Sequence, residues 1–236
     1  MKENIVRIIQ LLSVFSVVAP VIFYFVKFRI SPRQNHIIGS YIILCAAFDI
    51  LITFQLLPNS ILYNGQDVFQ FIILTWFYYE LVYKKRSDLV MLVTIGTYIA
   101  VLLTCIFYQG IFKTYSFLWT TGSVIISIHA LVYIFNVPRM VVDRYFDNNF
   151  FSNLIFNASL LFYFSMTILI FFVAESIFAS ENTDTIKAFW SVHNMLNIVK
   201  NIGLAIGFYY TGKRQIYMTM TQLEKIAKRL EEEGDY

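Results

Sequence analysis

Charge is scarce in this chain. Only 14% of its 236 residues are Asp, Glu, Lys or Arg, where soluble domains carry about 25%. Proline (4) and glycine (9) are also few, which excludes a linker-rich or low-complexity chain. The two cysteines, Cys45 and Cys105, lie inside apolar runs, where a thiol serves as a small hydrophobe, so neither a disulfide nor a metal pair is expected. A net charge of +3 is too small to imply nucleic acid. The sequence also lacks a glycine-rich nucleotide loop, HExxH, CxxC and GxSxG. Nothing in it asks for an enzyme or a cofactor.

What fills the sequence instead is apolar: 58% of residues are hydrophobic and the mean hydropathy is +0.64. The apolar runs fall at 5–26, 37–57, 64–83, 89–108, 116–135, 150–174 and 185–211, each near the ~20 residues a helix needs to cross hydrocarbon. None alternates with period two, which argues against a transmembrane barrel. The expected fold is all-α: a polytopic seven-helix transmembrane bundle over 1–212, followed by a short cytoplasmic helix over 213–236. The first run passes the small residue Ala19 and Pro20 to reach a basic stop at Lys27, Arg29 and Arg33, so it is expected to be a retained span rather than a cleaved signal. Pro20 should kink it.

Basic residues set the orientation. Lys27, Arg29 and Arg33 follow the first span, Lys84, Lys85 and Arg86 the third, Arg139 and Arg144 the fifth, and Lys213 and Arg214 the last. The alternate connections hold Lys113 and otherwise no base. The positive-inside rule therefore places the N-terminus outside and the C-terminus in the cytoplasm of a cell (inner) membrane protein. Tyr108, Tyr115, Trp119, Trp190, Tyr209 and Tyr210 are expected as interfacial belt residues.

The last span is the unusual one. His193, Asn194, Asn197, Lys200 and Asn201 fall on one arc roughly 120° wide at about 100° per residue. A central Lys costs on the order of 2.5–3.5 kcal/mol in hydrocarbon, so this face must turn to other helices or to a wet cavity. At about 1.5 Å per residue, Asp49 lies roughly 12 Å below the outer surface, His193 and Asn197 roughly 9 and 15 Å, and Lys200 and His129 roughly 20 Å. Asp49, His129 and the five polar residues of the last span form one expected polar cluster, either a structural lock between helices or a ligand, ion or proton site. Gly203 and Gly207 make a GxxxG, which lets helices approach closely within the bundle or between subunits. Glu80 is expected to pair with Lys84 at the inner boundary, and Asn157 and Ser159 to bond across helices. In the tail, Ile216, Met220, Leu223, Ala227 and Leu230 form an apolar seam. That seam suits the inner leaflet, a second copy of the chain or a cytoplasmic partner.

Lys200 in the last of seven spans is similar in place to the retinal-bearing lysine of microbial rhodopsins. That likeness stops at topology: Leu196 stands where that family has an Asp, no acid occupies the middle of the third span, and the sixth span has no Trp. More of the chain resembles a family of small, stand-alone bacterial seven-helix membrane proteins. The shared features are the basic Phe28-Arg-Ile-Ser-Pro-Arg33, the aromatic Phe162-Tyr-Phe-Ser165, and a last span like Trp190-Ser-Val-His-Asn-Met-Leu-Asn-Ile-Val-Lys-Asn-Ile-Gly-Leu-Ala-Ile-Gly207. The resemblance implies a shared architecture and signalling beside sensor kinases. The expectation is thus a membrane sensor with a polar site coupled to its tail. A small-solute or ion transporter is the alternative.

Overall fold

The computed structural model describes residues 2–53, 59–83, 88–110, 115–142, 149–179 and 183–212. Among the described residues every regular element is helical and no strand occurs. The expected helix over 213–236 lies outside the described residues, as do Lys84, Lys85 and Arg86.

Helices α1 (Lys2–Ser16) and α2 (Val18–Lys27) form one rod interrupted at Val17. Pro20 is the cause, since it has no N–H to give the carbonyl of Ser16 and its ring crowds that carbonyl. A 3₁₀ turn, Phe28–Ile30, leads to α3 (Arg33–Thr53). Pro32 opens α3 by accepting the Asn35 N–H at 3.0 Å, a first-turn position where its own missing N–H costs nothing. Helix α4 (Asn59–Tyr78) runs into a π-helical turn, Tyr79–Tyr83. Then come α5 (Asp88–Gln109), α6 (Ser116–Val142), α7 (Phe150–Ala179) and α8 (Thr183–Tyr210). Gly212 ends α8 with φ +70°, a left-handed residue that few side chains tolerate.

The α1–α2 rod packs on α3, α3 on α4, α4 on α6, α6 on α7, α7 on α8, and α8 back on the rod. These contacts close a ring, with α5 laid against α4 and α6. Five rods are long and apolar enough to cross a membrane: α1–α2, α3, α5, α6 and α7. Helices α4 and α8 differ in composition rather than length, since their 20 and 28 residues span roughly 30 and 42 Å. Polar residues such as Gln66, Asp67 and Gln70 in α4, and His193 to Asn201 in α8, lower their hydropathy. The outer surface is apolar, with Phe107, Phe135 and Phe172 more than three-quarters exposed, as expected of a face that meets lipid rather than water.

Between helices, lipid tails are as apolar as leucine, so association rests on close packing and hydrogen bonds. The glycines of α8 supply the first. A methyl group at Gly203 would strike the Ser159 side chain, and one at Gly207 the ring of Phe156, so both glycines seat α8 directly on α7. Asn157 and Ser159 do not bridge helices as the sequence suggested. Their side chains donate to the carbonyls of Asn153 and Ile155 one turn back, at 2.9 and 2.7 Å.

At the end of the bundle where α8 finishes, Thr211 ties three helices together. Asn35 donates to its hydroxyl at 2.8 Å and Ser152 lies 3.0 Å from it. Nearby, Asn149 Oδ1 accepts the Gly212 N–H at 3.2 Å. Glu80 pairs with Arg33 at 3.3 Å, its side chain only 7% exposed. The expected partner, Lys84, lies outside the described residues. Glu80 lies within the π-helical turn, and its partner Arg33 is the first residue of α3.

Candidate functional site

Where the N-terminus of α1 lies, the ring of helices does not close around a packed core. It encloses a cavity of about 590 Å³ lined from α1, α3, α4, α6, α7 and α8, a volume suited to a small organic molecule. Asp49, His193, Asn194, Asn197, Lys200 and Asn201 all line it. The polar arc of α8 thus faces one wet space.

Lys200 sits at its floor, 2% exposed, with Nζ 4.4 Å from the ring centre of Tyr163 and 5.4 Å from that of Tyr41. The π faces hold the charge without accepting any of its N–H bonds through an oxygen. Among the described residues no carboxylate oxygen lies within 4.0 Å of Nζ. Asp49 is near enough to interact with it electrostatically and accepts a side-chain hydrogen bond from Gln66.

Two asparagines of α8 fasten the broken rod. Asn197 Nδ2 donates to Ser13 Oγ at 3.0 Å, and Asn201 Nδ2 to Ser16 Oγ at 2.8 Å. Ser16 in turn donates to the carbonyl of Ser13 at 2.6 Å. Both serines sit on the last turn before the Val17 break, so the cavity wall is pinned next to the point where the rod bends.

His193 lies among the rings of Phe171, Trp190, Tyr163 and Trp119, with centroids 5.5 to 6.5 Å away. Its Nδ1 is sealed off without a partner, so Nε2 is the nitrogen that can meet a guest. Trp119 and Trp190 line the cavity, and Tyr63 stacks on Trp190 at 5.6 Å. Neither tryptophan is therefore a simple belt residue, and Tyr115 is buried, donating its hydroxyl to the Gly110 carbonyl at 2.7 Å. Tyr108 is 79% exposed.

His129 stands apart from the cluster expected of it. It is absent from the cavity lining; Tyr83 Oη lies 3.0 Å from Nδ1 and Thr94 Oγ1 3.4 Å from Nε2, and Tyr78 stacks on the ring. Its depth was matched to Lys200, but it points outward from α6 toward α5 and the end of α4. Gly203 and Gly207 likewise belong to the α7–α8 seam.

The chain matches no protein-family model, no curated protein and no solved structure.

Asp67 was missed. Helix α4 begins at Asn59 and carries it two turns inward. There it lines the cavity and accepts the Tyr98 hydroxyl at 2.5 Å. Tyr98 is itself set by a 3.7 Å stack on Phe71, so α5 braces the site from behind without lining it. Among the described residues no three His, Cys, Asp or Glu side chains gather as a metal site would require. The arrangement suits reversible binding of a polar organic guest, with acids, a lysine and aromatic faces around one space.

Proposed function

We propose that the chain is a seven-span membrane sensor that binds a small polar molecule in this cavity and passes the change to its tail. Helices α4 and α8 complete the spans, tolerated in lipid because their polar faces turn inward. With basic connections on the cytoplasmic side, the cavity opens to the outside and α8 runs from it to the residues before 213–236.

The observation that carries this reading is that the cavity stops at Lys200 and Asn201. One turn further along α8, Leu204 and then Phe208 are fully buried against a solid core that includes Phe156 and Tyr41. Among the described residues the lining on α8 ends at Asn201, so a guest is held on one side of the bundle, as in a receptor. The α8 helix joins the cavity wall to Thr211, bonded to α3 and α7, so movement at its outer half has a mechanical path inward.

A transporter is favoured by one feature, the break at Val17 on the cavity wall, since interrupted helices commonly frame transport sites. The two readings separate in cells. Paired Leu223→Asp and Leu230→Asp changes disrupt the seam of the tail and leave the bundle alone. Sensing predicts that these changes abolish the transcriptional difference between strains with and without the protein, while binding persists. If uptake of the bound solute is the function, it survives the changes and the sensor reading fails.

A further inference from the structure

The cavity carries both signs of charge, and they do not neutralise each other directly. Lys200 lines the cavity with its Nζ over two tyrosine rings and with Cys45 and Asp49 in electrostatic range. Ring faces stabilise an ammonium but leave its hydrogen-bonding capacity unused. Asp49 stands within electrostatic range, yet Lys200 has no carboxylate oxygen within 4.0 Å among the described residues. Asp67 adds a second carboxylate, with one oxygen taken by Tyr98. Beside the acids are the aromatic faces of Tyr63, Trp190 and Trp119, which favour an alkylammonium by cation–π attraction.

Arg7 of α1 lines the cavity as well, which makes two bases beside two acids. A purely anionic guest would satisfy the bases and meet Asp49 and Asp67, and a purely cationic one would satisfy the acids and meet Lys200 and Arg7. Resting on the reading of the cavity as a ligand site, we infer that the guest is a small zwitterion of the amino-acid class, its carboxylate on Lys200 and its ammonium toward Asp49, Asp67 and the aromatic wall. Lys200 and Asp49 line the same cavity, so one guest with both charges can meet both. Asn194 and Gln66 add neutral polar groups to the lining, and the volume of about 590 Å³ leaves room for a side chain.

The test is thermal melting of the full-length protein in detergent with a panel of common α-amino acids and short ω-amino acids. Each is matched by the carboxylic acid lacking the amine and by the amine lacking the carboxylate. The expected result is a melting temperature that rises with concentration for one or more zwitterions, and a much smaller rise for the matched acid and amine. Lys200→Met should weaken the zwitterion at least about tenfold, the loss of a charge-assisted hydrogen bond, and leave the weak binding of the matched amine unchanged or improved.

An acid or amine that stabilises the protein as well as its zwitterion overturns this inference, while leaving the cavity as a ligand site. A panel without any stabilising member also overturns it. The underlying reading fails separately, when blocking the cavity with Ser123→Trp leaves every ligand response and cellular phenotype intact.

Discussion

Asn201 donates to Ser16 across 2.8 Å, and with the Asn197–Ser13 bond at 3.0 Å it holds α8 against the last turn of α1, where the rod breaks. Hydrogen bonds between spans contribute about 0.6 kcal/mol on average, up to about 1.7. A double-mutant cycle with Asn201→Ala and Ser16→Ala, read from reversible unfolding in detergent, should return a coupling in that range. A coupling of zero would mean that the pair does not hold the rod.

The α7–α8 seam gives a sharper test because relief is possible. Gly203→Ala introduces a methyl group into Ser159, and overpacking costs about 1–3 kcal/mol. Adding Ser159→Gly removes the obstructing atoms, so the double variant should recover most of the lost stability. A Gly203→Ala variant as stable as the wild type would show that the helices stand further apart.

His129 and the cavity should be separable. His129→Leu removes the partner of the Tyr83 and Thr94 hydroxyls, at a cost of about 1–3 kcal/mol for the groups left unpaired. Stability should fall while ligand affinity stays the same. Equal losses of affinity in His129→Leu and Lys200→Met would reunite the two sites.

That separation marks where the sequence stops being informative. Helical periodicity placed the arc of α8 correctly on one face, because polar groups in an apolar span have one shared destination. Counting 1.5 Å per residue gave Asp49 and His193 similar depths, and both line the cavity. Depth is only one coordinate, however. His129 shares the depth of Lys200 and faces another way, and nothing in a single sequence gives its azimuth within the ring. Asp67 was hidden for a different reason: it lies near the polar start of the run at 64–83, and nothing in the sequence names Tyr98 as the group that receives it. The serines at 13 and 16 were equally silent, since their partners lie more than 180 residues away.

Orientation is tested by fusion. A reporter placed after Asp235 and active only in the cytoplasm should be active, and one active only outside should be silent. The reverse pattern would turn the cavity toward the cell interior and end the account of an outward-facing sensor.

The ligand itself is the most direct test of the central claim. Native mass spectrometry of the full-length protein, extracted gently from its own membranes, should show a bound small molecule on the wild type. Ser123→Trp, which fills the cavity from α6, should fold, melt within a few degrees of the wild type and carry no such adduct. The same adduct on both proteins would place the molecule elsewhere. Bare protein in both, with the cellular phenotype unchanged by Ser123→Trp, would contradict the claim that this cavity is the working site.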